Sequence, residues 1–233
     1  MNTILLCNII DDFKTVFLEN NRWMTYLQGM ANTIVMSLLA VCIGIVIGLM
    51  IAVVKNIHMN TGKLLILDKI CSAYVAIIRG IPMMLQLYIM YFVILTFDAP
   101  IVVASIAFGV NSGAYVAEIF RAGIMSVDKG QMEAGRSLGM SYGKTMAKVI
   151  VPQALRNAIP PLGNEFIALI KETAIVGSIG ILDLTKAANN ITGSTFQFFM
   201  PLIIATVFYL VLVLALTKLM KFVERRLSRS DKR

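Results

Sequence analysis

Histidine is almost absent from this chain: His58 is the only one among 233 residues, and it is expected in a loop. One imidazole so placed argues strongly against a metal site built on histidines and against a His-dependent relay in the membrane. Cysteine is nearly as scarce. Cys7, Cys42 and Cys71 are odd in number, and two lie in or near apolar runs, so buried free thiols are expected in place of a disulfide or thiolate framework. The fifteen methionines are spread along the chain and form no soft-metal cluster, so no metal is expected. The N-terminus lacks a basic stretch and a cleavage-site pattern, so no cleaved signal peptide is expected, and the first apolar helix serves as its own insertion signal.

Charge itself is missing from long stretches. No charged residue occurs in the 32 positions between Arg22 and Lys55, or in the 31 between Lys186 and Lys218. Each run exceeds the roughly 20 apolar residues needed to cross about 30 Å of hydrocarbon. Two further runs, Gly80 to Phe97 and Ala99 to Ala117, hold 18 and 19 residues and are parted by Asp98 and Pro100. Residues 157–181 are long enough to span although Glu165, Lys171 and Glu172 interrupt them. With 58% hydrophobic residues and a mean hydropathy of +0.80, the chain is an all-α, polytopic membrane protein of five crossings.

The net charge of +8 comes from 21 Lys and Arg against 13 acids. Alternating the crossings places residues 55–69, 121–156 and the tail after Thr217 on one side, with 3, 6 and 7 basic residues. The positive-inside rule makes that side cytoplasmic, with the N-terminus outside and the C-terminus inside. The bias accounts for the basicity, and no nucleic-acid partner is expected. Three regions follow: an interfacial extracytoplasmic segment 1–22, a membrane domain 23–222 and a basic cytoplasmic tail 223–233.

Within the first crossing, Ala40, Gly44, Gly48 and Ala52 recur every four residues, a stripe suited to close packing within the chain or against a second copy. Gly80 and Pro82 predict a break in the next helix. Arg79, just before it, is either a clamp on a carbonyl or carboxylate or an interface anchor. Asn111, Tyr115 and Glu118 share one helical face, which serves either packing or a polar path.

The largest polar segment, about 126–155, separates the third and fourth crossings. Asp128 and Gln131 resemble a capping box, so a helix starts near Lys129; Gly139 ends it, and Ser141 caps a second helix that Pro152 stops or bends. Glu133 has favourable helical spacing to Lys129 and Arg136, and is either paired there or offered to a partner. GMSYGKT looks like a phosphate loop, but only three residues separate Gly139 and Gly143, and no strand precedes it.

The stretch EAGRSLGMSYGKTMAKVIVP resembles the EAA loop of binding-protein-dependent ABC importer permeases, with Glu133, Ala134, Gly139 and Pro152 at the matching places. Gly135 replaces the second alanine, and Val149 and Val151 replace isoleucine and leucine. RGIPMMLQLYIMYF, NSGAYVAEIFRAGI and NEFIALIKETAIVGSIGILDLT look like segments of the polar amino-acid subgroup. Ile81 and Ala174 stand where hydroxyl residues are common. The resemblance covers roughly residues 25–222.

It implies the type I importer (MetI-like) permease fold in a bacterial inner membrane. It also implies uptake of a polar amino acid by a non-hydrolysing subunit. Partners would be separate ABC ATPase subunits carrying ATP and Mg, a second permease subunit of the same or a paralogous chain, and an extracytoplasmic solute-binding protein. Glu133, Ala134, Gly135, Gly139 and Pro152 would form the ATPase-coupling lever. The substrate path is expected from Gln86, Asn111, Ser112, Tyr115, Glu118, Asn164, Glu165, Lys171 and Glu172, with the last three alternatively a neutralised group. Pro160, Pro161 and Gly163 are expected to break the start of that helix. Alternative readings are a permease for a sulfur amino acid or an opine, and an ATP-independent channel or ion-coupled carrier.

Overall fold

The computed structural model describes residues 9–230. Cys7 and both chain ends, including the start of the interfacial segment and the last three residues of the basic tail, lie outside the described residues. Within that range the chain is helical throughout and has no strand. A short helix α1, residues 9–18, closes on a π turn, Lys14–Leu18, and meets α2, Arg22–Thr61, across a kink where Asn20 and Asn21 are left-handed. Then come α3, Leu65–Gly80, α4, Met83–Ile89, and α5, Pro100–Met125. The polar segment supplies α6, Lys129–Ser137, and α7, Tyr142–Thr145. The long α8, Val151–Glu172, the short α9, Leu184–Thr195, and α10, Phe199–Ser230, complete the order.

Among the described residues three helices are long and apolar enough to cross a bilayer: residues 9–61 taken together, α5, and α10. The pair α3 and α4 is apolar enough only when taken together, and the 109° bend at Ile81 and Pro82 makes it a broken span or a re-entrant loop. Pro82 has no amide to continue the ladder, and Gln86 closes the gap by donating to the Ile78 carbonyl at 2.7 Å and the Ile81 carbonyl at 2.8 Å. The fifth long helix, α8, carries Arg156, Glu165, Lys171 and Glu172 and so falls outside a purely apolar criterion.

The core seam is α2 against α5, and small residues on both helices explain it. A Cβ on Gly44 would stand 2.8 Å from Ser112 Oγ, and one on Gly48 would stand 2.8 Å from the Ala117 amide nitrogen. In return Gly109 and Gly113 receive Ile43 and Ile47. All four residues of the Ala40–Ala52 stripe are buried, so the stripe serves packing within the chain. The free thiols are less buried than expected: Cys42 is exposed and Cys71 half-buried. His58 lies in the last turn of α2, not in a loop, because the helix continues past Lys55 to its glycine end at Gly62.

Several boundaries differ from the sequence expectation. The charge-free run after Lys186 is not one crossing, because Phe196 takes a left-handed conformation (φ 57°) between α9 and α10. Asn189, Asn190 and Thr192 through Thr195 are the signal there: polar side chains close a short capped helix before the span begins. Asp183 supplies that cap, accepting from the Thr185 and Lys186 amides at 2.9 and 3.0 Å. Pro160, Pro161 and Gly163 do not break α8, which runs through all three. Pro152 does not stop the second loop helix either: α7, a π turn at Met146–Ile150 and α8 are continuous, with Pro152 in the first turn of α8. The wide turn tolerates a missing amide because its bonding register is already shifted. Ser141 sits at the N-cap of α7 in extended backbone but makes no side-chain cap bond.

Candidate functional site

Two features stand apart from the packed seam: an open cavity and an uncovered helix face. The cavity, of about 830 Å³, lies among α5, α8 and α10, with Arg79 of α3 also on its wall. Tyr115, Glu118, Arg121, Ser126, Pro160, Glu165 and Glu224 are among its lining residues. From Tyr115 to Ser126 the lining follows eleven residues of α5, about 16 Å at the helical rise, so the cavity extends to the end that carries α6. There Asn157 donates to Ser126 Oγ at 2.8 Å and ties α8 to the end of α5.

The polar groups in the cavity are mostly engaged. Arg121 forks onto one Glu118 oxygen, with Nη2 at 2.7 Å and Nε at 3.0 Å. Ser112 donates to Glu165 Oε1 at 2.8 Å, a bond that joins α5 to α8 across the cavity wall. The Arg79 guanidinium lies 5.0 Å from the centre of the Tyr115 ring. Among the described residues it clamps no carboxylate within 4.0 Å; the ring face takes the cation. Pro161 carries no amide, so the carbonyl of residue 157 lacks its i+4 donor on the cavity wall. The result is a water-accessible chamber with both charge signs and a backbone acceptor, able to hold a small zwitterionic solute.

The expected path residues divide. Tyr115, Glu118 and Glu165 line the cavity. Ser112 is buried behind Glu165, and Asn111 is buried and donates to Gln86 Oε1 at 3.3 Å. Gln86 itself holds the α3–α4 bend. Asn164, Lys171 and Glu172 are exposed and do not line the cavity. Among the described residues Lys171 makes no ion pair with Glu165 or Glu172 within 4.0 Å. Sequence reasoning missed Arg121, Arg156 and Glu224 as cavity residues. For Arg121 the signal was present, three residues after Glu118 in a membrane helix.

The helix face belongs to α6. Asp128 accepts from the Gly130 amide at 2.6 Å and so caps α6, but not as the expected capping box, since the Gln131 amide donates to the Asp128 carbonyl at 3.0 Å instead of to its side chain. Gly139 then takes φ +78°, where an L side chain is strained, and turns the chain toward α7. One side of the loop packs inward through Val127, Met146, Ile150 and Ala154. Glu133, Ala134, Arg136 and Gly139 face out, and Leu138 is 83% exposed. Among the described residues Glu133 forms no ion pair with Lys129 or Arg136. Glycines at 139 and 143 lie in a turn and a helix, with no strand before them, so the loop has no phosphate cradle.

Residues 44–229 match the family described as binding-protein-dependent transport system inner membrane component. The chain belongs to that family. It is a multi-pass inner-membrane permease with the type I importer fold. It is 41% identical over 209 residues to the arginine transport system permease protein ArtQ of Bacillus subtilis, covering 88% of this chain and 93% of that one. With the L-cystine transport system permease protein TcyB of the same organism it shares 36% identity over 215 residues, 91% of this chain and 90% of the other. A crystal structure of an amino acid ABC transporter with histidines superposes with a TM-score of 0.82 at 41% identity, covering 90% of this permease and 98% of that chain.

Among the described residues no group of three His, Cys, Asp or Glu stands close enough to hold a metal ion.

Proposed function

We propose that this permease is the translocation subunit for a polar amino acid, energised by ATP and Mg bound to a separate ABC ATPase that docks on α6. The observation that carries this reading is the chamber of charged residues that reaches the same end of the molecule as the uncovered face of α6. In this reading the loop end is cytoplasmic, the C-terminus lies inside, and the chamber is open inward. The continuous rod from Tyr142 to Glu172 links the loop to the chamber wall, so a displacement of α6 moves Pro160 and Glu165 with it. A solute-binding protein delivers the amino acid at the opposite end, and a second permease subunit completes the pathway.

Related permeases named for arginine and for cystine differ in the charge of their solute, so the polar amino-acid class is the level these relatives support. The test is reconstitution in proteoliposomes with the cognate ATPase and binding protein, following uptake of radiolabelled L-arginine and L-cystine in separate assays. Uptake is expected only with ATP and all components present. Gradient-driven uptake by the permease alone would overturn the importer reading in favour of a channel or ion-coupled carrier.

A further inference from the structure

The loop contains one contact that the coupling face itself does not explain. Gly135 is buried on the inner side of α6, and a Cβ built on it would collide with Thr145 Cγ2 and stand 3.0 Å from Thr145 Oγ1. Thr145 is fully buried. Its hydroxyl donates to the Ser141 carbonyl at 3.1 Å, the back-bond that selects one χ1 well and thereby fixes where the methyl points. The Met140 amide closes the corner on the Gly135 carbonyl at 3.1 Å. Helix α6 thus meets α7 at a size-matched point beside the packing of Met132 on the Met146 cluster, a residue without a side chain against a β-branched residue held by its back-bond. Around that point the outer face of α6 has no packing partner among the described residues.

We infer that Thr145 is a positioning residue for ATPase coupling, setting with Gly135 the separation and angle at which α6 stands off the α7–α8 rod. The inference rests on the docking role proposed for α6. A methyl added at residue 135 pushes α6 outward unless Thr145 gives up its own methyl. Serine at 145 keeps the hydroxyl and its bond to Ser141 while removing Cγ2, so it vacates the space that alanine at 135 requires.

The test uses the assembled transporter in proteoliposomes, with permease yield and thermal stability measured alongside binding-protein-stimulated ATP hydrolysis. Gly135→Ala is expected to lower stimulated hydrolysis about tenfold, the scale of overpacking at a closed contact. The double variant Gly135→Ala with Thr145→Ser is expected to recover to within about twofold of the unaltered protein, as coupled neighbours do. Normal stimulation in Gly135→Ala alone, or a double variant no better than the single one, overturns the inference. If Gly135→Ala does not assemble, Thr145→Ala decides. It removes both the methyl that faces Gly135 and the hydroxyl bonded to Ser141, and stimulated hydrolysis unchanged in that variant is equally fatal. Glu133→Lys separates the two claims: if it leaves ATPase association intact, the docking role of α6 fails. If it abolishes association while the Gly135 series is silent, only the role of Thr145 fails.

Discussion

Small residues serve opposite ends in two regions of this permease. Along the α2–α5 seam, Gly44, Gly48, Gly109 and Gly113 are buried, and any Cβ added to them meets the facing helix. On α6 and its corner, Ala134 and Gly139 are exposed, and a Cβ built on Gly139 has nothing within 4 Å. The first set is small because the space is already filled by the chain itself. The second is small because the backbone must turn at Gly139 and, in the reading proposed, because another protein must come close at Ala134. Substitutions that add the same atoms therefore test different things in the two regions.

The seam should respond most strongly. Gly48→Ile places branched carbons against Val116 and the Ala117 backbone, neither of which can withdraw without separating the helices. The expected loss is about 3 kcal/mol of stability, the upper end for overpacking in a closed core. Thermal unfolding of the detergent-purified permease measures it. A variant that unfolds with the unaltered protein would show that the two helices separate more freely than the seam implies.

That seam was half legible in the sequence. Four-residue spacing of Ala40, Gly44, Gly48 and Ala52 marks a close-packing stripe, but spacing on one helix does not say which helix fills it. The matching glycines at 109 and 113 in α5 are the missing half, and they were read only as part of an apolar run. The α6 lever was more legible, since caps and turns are local chemistry: Asp128 and Gly139 act where their residue types predict. Prolines misled for the complementary reason. A proline reports that an amide is missing, not what the neighbouring backbone does about it, and here a π turn before Pro152 and the chamber beside Pro160 and Pro161 accommodate the loss. The chamber was least legible, because Arg79, Arg156 and Glu224 reach it from three separate helices.

Next in size is the bend between α3 and α4, which lies beside the seam and depends on hydrogen bonds instead of volume. Gln86→Leu leaves the Ile78 and Ile81 carbonyls without their side-chain donor and removes the acceptor used by Asn111. Three lost bonds, the one from Asn111 long at 3.3 Å, amount to about 2 kcal/mol. The same thermal unfolding assay should place this variant between Gly48→Ile and the loop variants. A loss as large as that of Gly48→Ile would mean that the bend, not the seam, holds the core.

Gly139→Val isolates backbone strain, because the space around residue 139 is open. A β-branched residue at φ +78° destabilises the turn by about 1 kcal/mol, so membrane insertion and yield should hold. Stimulated ATP hydrolysis in the reconstituted transporter should nevertheless collapse, since the corner that aims α6 is altered. Full stimulation in this variant would sink the lever.

The smallest effect on the permease alone is expected at Leu138. Its side chain is 83% exposed, so Leu138→Ser removes almost no intramolecular contact, and stability should stay within about 0.5 kcal/mol. Its neighbours on the outer face are Glu133, Ala134 and Arg136, and an apolar side chain presented among them to water is the kind of group that a partner's cleft buries. Co-purification of the ATPase with the variant permease reads that directly. Weakened association at unchanged stability would mark Leu138 as part of the docking face. Unchanged association would confine the contact to the side of α6 that carries Glu133, and would leave the exposed leucine to the lipid headgroup region beside the loop.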